Sequence, residues 1–184
     1  MDFQVRTGEE RDLEGILDIY NYYVQNSPAT FDTVRAEAKD RLSWLKEHSC
    51  GGAHRLFVAM NDGKQVLGWA TTSLFRPRPA YATTVEASVY CKHDSVSLGI
   101  GTALYGALFK AIEKEDVERI VAGITLPNQS SVALHASFGF GHIGTFTRVG
   151  RKFGQYWDVA WFERPLIIDS ESIAAARVEK SMQK

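Results

Sequence analysis

Gly99 and Gly101 bracket one isoleucine where a strand-like stretch gives way to a helix-like one. Glycines let the main chain approach a ligand closely, and the first amides of the following helix have no partner inside it, so they point outward and favour negative charge. The chemistry this allows is a cradle for a pyrophosphate, although a tight turn with no ligand reads the same way. A dinucleotide fingerprint would need a third glycine three residues after Gly101, and Leu104 stands there. Upstream, Arg76 and Arg78 lie in Arg76-Pro-Arg-Pro79, a proline-stiffened basic loop whose guanidinium forks can grip a carboxylate, phosphinate or sulfoximine-like group at two points. A solvated loop with surface arginines is the competing reading. Cys91 lacks an adjacent histidine or helix N-terminus to lower its pKa, so no acyl-cysteine relay is expected.

These residues need elements to hold them. Phe3 to Arg6 alternates as a short strand, and Thr7-Gly-Glu-Glu10 matches a capping box that starts a helix. Leu13, Ile16, Leu17, Tyr20 and Val24 recur at helical spacing, with a stop near Asn26-Ser27-Pro28. A second helix is predicted over Ala36 to Glu47. Arg55 to Met60 and Gln65 to Leu74 read as antiparallel strands around Asn61-Asp62-Gly63. Along Thr83 to Cys91, Val85, Ala87 and Val89 share one strand face while Thr84, Glu86, Ser88 and Tyr90 share the other. Glu86 is thus set on rigid scaffold, where half-burial can raise a carboxylate's pKa. A helix follows Gly101 through Leu104, Leu108, Ala111 and Ile112, and Arg119 to Ile124 is a further strand. Asn128-Gln-Ser-Ser131 opens a short helix that Gly139 stops, and strands fill Phe140 to Arg148 and Gln155 to Arg164.

Several separated motifs resemble one family. Val89 to Thr102 is similar to the coenzyme A motif Q/R-x-x-G-x-G/A of GNAT superfamily N-acetyltransferases, and Leu134-His-Ala-Ser-Phe-Gly-Phe140 resembles that family's L-Y-x-x-x-G-F element. Within the superfamily the chain most resembles the phosphinothricin and methionine sulfoximine acetyltransferase group. Ile19-Tyr-Asn21, Phe75-Arg-Pro-Arg-Pro-Ala-Tyr81, Thr84-Val-Glu86, Val121-Ala-Gly-Ile124 and Val149-Gly-Arg-Lys-Phe-Gly154 carry that likeness. The resemblance implies an α/β (α+β) GNAT fold over residues 1–166, with residues 167–184 as a tail that is a loose helix or disordered. Its sheet would be mixed, mostly antiparallel, of about six to seven strands flanked by about four helices and splayed at the strand carrying Glu86.

The same resemblance implies transfer of acetyl from acetyl-CoA to the amine of a small, anionic, amino-acid-like acceptor, by direct attack with general-base help and no metal. Glu86 matches the group's base, and His135 takes the place of the superfamily's tyrosine acid; a salt-bridged structural Glu and a core histidine are the competing readings. Tyr90 and Tyr81 are alternative acids. Main-chain groups of Val89, Tyr90 and Cys91 would pair with the pantetheine arm, Ser97, Leu98, Gly99, Ile100, Gly101 and Thr102 would cradle the pyrophosphate, and Asn128 and Ser131 would touch the coenzyme near its thiol. Phe31 and Tyr81 would wall the acceptor pocket beside Arg76 and Arg78, with Arg148, Arg151 and Lys152 adding charge or a dimer contact. Val96 stands at the motif's leading Gln or Arg, and Ser97 and Leu98 replace a Gly and a basic residue. A main-chain cradle keeps its amide donors through such changes but loses side-chain cations.

Composition narrows the partners. The chain's 184 residues carry 21 Lys and Arg against 22 Asp and Glu, giving no electrostatic reason for a nucleic acid or anionic membrane partner. Cys50 and Cys91 form neither a disulfide framework nor a zinc spacing. No apolar run reaches the roughly 18 residues of a membrane span, and the N-terminal residues lack a signal-peptide pattern. A cytoplasmic homodimer with its sites near the interface is the expectation. Two other classes fit the sequence: a non-catalytic coenzyme A sensor, and a protein or peptide N-acetyltransferase with an open groove.

Overall fold

Alternating apolar residues draw the chain into a seven-stranded sheet in the order β1-β2-β3-β4-β5-β7-β6. A computed structural model describes residues 2–48, 51–95 and 99–166; Cys50, Val96, Ser97, Leu98 and the tail 167–184 lie outside the described residues. The strands are β1 (Phe3–Thr7), β2 (Arg55–Asn61), β3 (Val66–Leu74), β4 (Thr84–Cys91), β5 (Arg119–Leu126), β6 (Gly141–Lys152) and β7 (Gln155–Pro165). Neighbours run antiparallel except β4 and β5, which are parallel. Four helices, α1 (Leu13–Asn26), α2 (Ala38–Lys46), α3 (Ile100–Ile112) and α4 (Gln129–Ser137), cover the two faces.

Side-chain alternation sorts the layers. On one face Ile100, Leu104, Leu108 and Ile112 of α3 pack on Ala59, Leu67, Ala70, Val85 and Ala87. Each such burial contributes about 1.5–3 kcal/mol, which outweighs the roughly 1 kcal/mol that Gly106 costs inside the helix. On the other face Ile16 and Ile19 of α1 meet Leu56, Val58, Val66 and Trp69. Within β4, Val85 and Ala87 point to α3, and Glu86, Ser88 and Tyr90 point to the α1 side.

Three boundaries differ from the sequence reading, each for a local reason. The capping box belongs to Glu9 and Asp12, not Thr7 and Glu10, and it precedes a short 3-10 turn over Glu10–Asp12. Arg6 fixes this choice: its guanidinium donates to both Asp12 oxygens at 2.7 Å, and Asp12 also accepts the Glu9 amide at 2.8 Å. α2 begins at Ala38 because Glu37 is extended and Ala36 is tied to α1, its N–H donating to Asn21 Oδ1 at 2.8 Å and its C=O accepting Asn21 Nδ2 at 3.0 Å. β6 continues past Arg148 to Lys152 through a register shift between Phe146 and Gly150. Arg148 sits there at φ 54°, with its amide held by Asp158 Oδ1 at 2.7 Å.

The decisive irregularity lies in the middle of the sheet. β4 and β5 pair only at Thr84↔Arg119, Val85↔Ile120 and Glu86↔Val121. Beyond Glu86, β4 stays on β3 to Cys91 and β5 stays on β7 to Leu126, so the sheet opens into a V.

Candidate active site

The V leaves main-chain groups of β4 with no strand beside them. Lys92 N–H donates to Leu67 O at 2.8 Å, while Thr83 O accepts the amides of Glu118 and Arg119. Even-numbered residues of β4 therefore turn their peptide groups to β3 and odd-numbered ones toward β5. Val89 and Cys91 present amide and carbonyl to the opening. Tyr90 does not, contrary to the sequence reading: its peptide groups face β3, and it offers its side chain to the cleft instead. Tyr23 of α1 already donates its hydroxyl to Cys91 O at 2.7 Å, and burial pushes that phenol up to about 12, so it remains a donor.

From this edge a cleft of about 770 Å³ runs to the starts of α3 and α4. Gly99, at φ 78° before α3, adopts the left-handed conformation that favours glycine. The first helical bond runs from Ala103 N to Gly99 O at 3.0 Å, which leaves the amides of Ile100, Gly101 and Thr102 outside the helix ladder. The Cys91 thiol lies against one of them, its Sγ 3.8 Å from where a Cβ on Gly101 would stand. Cys91 thus does stand at a helix N-terminus, correcting the sequence reading. Burial outweighs the opposing pull of the Gly101 amide and pushes the thiol up to about 11, so it remains unsuited to nucleophilic work. Asn128 caps α4, its Oδ1 accepting Ser131 N at 3.2 Å, and both residues line the cleft. Ser97 and Leu98 lie outside the described residues.

His135 is 3% exposed and fully engaged. Its Nδ1 lies 2.7 Å from Ser131 O and its Nε2 lies 2.9 Å from the Tyr105 hydroxyl. A carbonyl only accepts, so Nδ1 carries the proton and Nε2 accepts from Tyr105. Burial lowers the imidazole's pKa, opposed by the bond to Ser131. With both nitrogens occupied and the ring neutral, His135 has no free proton for a leaving thiolate, which contradicts the acid role read from sequence. Tyr105 is buried too, and desolvation raises its pKa.

Register gathers the acceptor side. Glu86 pairs with Val121 in parallel β5, so Gly123, two residues on, shares its face, and Trp161 of β7 lies opposite Gly123. No hydrogen bond reaches the Glu86 carboxylate among the described residues. Burial pushes its pKa up, and the nearby Arg76 charge pulls it partly back. Arg76 lies 4.9 Å over the Phe75 ring, and Phe75 makes edge contacts with Tyr81 at 5.7 Å and Trp161 at 6.1 Å. Arg76, Tyr81 and Glu86 therefore do converge. Arg78 is exposed and has no side-chain partner among the described residues. Phe31 stands elsewhere, against Gly150 of β6, where an added methyl would overlap its ring. Trp161 was missed from sequence, although a bare glycine in a strand signals a close approach by a neighbouring group. Lys152, read as adding charge or a dimer contact, is 4% exposed, whereas Arg148 and Arg151 lie over the Tyr156 ring at 4.5 and 5.8 Å.

A second hollow of about 860 Å³ between α1 and the β2–β3 hairpin is lined by mixed charges, of which Arg6 and Asp12 bind each other. Among the described residues no cluster of three or more His, Cys, Asp or Glu could hold a metal, and no helix is long and apolar enough to cross a membrane.

A family model described as Acetyltransferase (GNAT) domain matches residues 5–161. A phosphinothricin N-acetyltransferase of Streptomyces coelicolor is 50% identical over 166 residues, which cover 90% of this chain and 97% of that one. An L-methionine sulfoximine/L-methionine sulfone acetyltransferase of Pseudomonas aeruginosa is 32% identical over 163 residues, 89% of this chain and 94% of its own. The crystal structure of a phosphinothricin acetyltransferase from Sinorhizobium meliloti in complex with AcCoA superposes with a TM-score of 0.83 at 31% identity, covering 90% of this chain and 89% of that one.

Proposed function

Because this chain belongs to the GNAT acetyltransferase family, we propose that it moves acetyl from acetyl-CoA onto the amine of a small amino-acid-like acceptor with an anionic handle, of the phosphinothricin, methionine sulfoximine or methionine sulfone type. The observation that carries this reading is Glu86, a carboxylate free of hydrogen bonds at the mouth of the V, with its pKa raised by burial and Arg76 beside it. The donor arm lies along Val89 and Cys91, its pyrophosphate meets the free amides of Ile100 and Thr102, and Asn128 and Ser131 face its thiol end. Arg76, with Arg78 at the rim, takes the acceptor's anionic group, and Tyr81 and Trp161 wall the pocket.

Glu86 accepts a proton from the acceptor ammonium, through water where the reach demands it, and the free amine attacks the thioester carbonyl. The tetrahedral intermediate then carries a positive nitrogen and an oxyanion. As it collapses the C–S bond breaks, and the second nitrogen proton passes to the departing thiolate, giving amide and free thiol. This balance needs no acid side chain, which agrees with a fully engaged His135. Glu86 returns its proton to solvent.

Two finer points belong to the same proposal. The enzyme works in the cytoplasm, the compartment its acetyl-CoA donor favours. It is a homodimer, supported by the outer strand β6, where Ile143, Phe146 and Val149 are 55%, 58% and 57% exposed, an apolar edge that a second copy would cover. Light scattering at twice the chain mass would support the dimer, and a monomer would remove it. The functional test is thiol release from acetyl-CoA across a panel of methionine sulfone, methionine sulfoximine, phosphinothricin and small peptides. Turnover confined to peptides, or acetyl-CoA binding without turnover, overturns the reading.

A further inference from the structure

Lys152 is 4% exposed, and a buried ammonium is costly unless its protons are met. Among the described residues no carboxylate lies within ion-pair distance of it, and Asp32 acts on it only through its charge. Its three protons instead meet three main-chain carbonyls, Thr30 O at 2.7 Å, Ser27 O at 2.8 Å and Tyr23 O at 3.3 Å. Tyr23 and Ser27 close α1, a helix with no basic residue in its last turn. The cation that a helix C-terminus favours therefore comes from β6, far along the chain. Thr30 lies beyond the helix, so one ammonium ties the helix end to the loop that follows.

That loop carries Pro28 and Ala29 into the cleft. Phe31, two residues after Ala29, lies on Gly150, two residues before Lys152 on the same strand. β6 thus grips the loop twice, by charge at Lys152 and by shape at Gly150. Tyr20 adds a lesser tie, its hydroxyl 3.0 Å from Thr30 Oγ1. The donor edge at Val89 and Cys91 sits on β4, which pairs with β3 as far as Cys91; its one link to the helix end is the Tyr23 hydroxyl on Cys91 O.

We propose that Lys152 is a positioning residue for the acceptor: through the carbonyls of Ser27 and Thr30 it sets the loop 27–31, anchored by Phe31 on Gly150, and so places Pro28 and Ala29 in the cleft with Ser88 and Tyr90, on the face of β4 that carries Glu86. The proposal rests on the small-acceptor reading above and adds what holds that pocket's shape.

Lys152→Met keeps the aliphatic stem and removes the three donors. In the folded variant, the KM for methionine sulfone should rise by about tenfold or more while the KM for acetyl-CoA stays within about twofold, a split that a general loss of stability would not produce. Hydrogen exchange at amides 29–32 should speed up with that of 84–91 unchanged. Gly150→Ala leaves the ammonium in place and displaces Phe31, so it should raise the acceptor KM alone; it also carries the kinetic test if Lys152→Met does not fold. Unchanged exchange in the loop, an acceptor KM within twofold in the folded variants, or parallel rises in both KM values would overturn the proposal. If the parent protein acetylates no amino acid on the panel, the small-acceptor reading falls, while the exchange measurement still decides whether Lys152 holds the loop.

Discussion

Replacing Glu86 by Gln should separate activity from stability in opposite directions. The amide keeps the shape of the side chain but cannot accept a proton, and loss of a positioned general base costs about 10²–10⁴ in rate, or about 2.7–5.4 kcal/mol of barrier. Stability should move the other way. Burial raises the folded-state pKa of Glu86 above an unfolded value of about 4.3. A group raised in this way contributes stability that is fully present below the unfolded pKa and is lost as pH rises through the folded one. At neutral pH the parent therefore carries a desolvated carboxylate that no hydrogen bond offsets, and the amide removes that charge. The variant should melt no lower than the parent at pH 7 while kcat/KM for methionine sulfone falls at least a hundredfold. In the parent, kcat/KM should drop as pH falls through a limb lying above the usual carboxylate range, and that limb should vanish in the variant. Stopped-flow thiol release between about pH 5 and 9, with calorimetric melting, measures both. A variant whose kcat/KM stays within about threefold of the parent across that range removes Glu86 from the mechanism, and a lower melting point refutes the account of its charge.

Other substitutions probe the neighbouring groups. Arg76→Ala removes the charge that pulls Glu86 down, so the acid limb should move to higher pH and the acceptor KM should rise about tenfold; a limb that stays put denies the coupling. His135→Phe strands the Tyr105 hydroxyl in the core and should cost about 1–3 kcal/mol in urea unfolding. Its kcat should stay within about threefold, so a hundredfold loss in a folded variant would restore the histidine as an acid. Cys91→Ala should keep turnover, and the parent thiol, at about 11, should alkylate slowly at pH 8; an acetylated parent chain in rapid-quench mass spectrometry would contradict this.

Local pattern made much of this molecule legible. Alternation along Thr83 to Cys91 correctly set Glu86 with Ser88 and Tyr90 on the strand face opposite Val85 and Ala87, and Leu104, Leu108 and Ile112 marked the buried stripe of α3. What stayed hidden depends on neighbours far apart in the chain. Which way the Tyr90 peptide faces follows from having β3 on one side and a gap on the other. The Cys91 thiol meets the Gly101 amide only because α3 folds back over the strand end. His135 looked like an available acid because nothing in Leu134-His-Ala-Ser-Phe-Gly-Phe140 shows that Tyr105, on another helix, occupies its second nitrogen. Lys152 read as added charge or a dimer contact because its acceptors are carbonyls, which every residue has and no sequence pattern distinguishes.

The three residue pairs joining β4 to β5 also have a thermodynamic consequence. Among the described residues they are the only strand pairing between a four-stranded block, β1 to β4, and a three-stranded block, β5 to β7. A donor lying in the opening would touch both blocks and supply rungs the polypeptide lacks, so its binding free energy adds to the cohesion of the whole domain. At a hundred times its Kd, acetyl-CoA would stabilise the fold by about 2.7 kcal/mol. The cell's supply of acetyl donor would then set how often the two blocks part, and with it how readily a protease finds this chain.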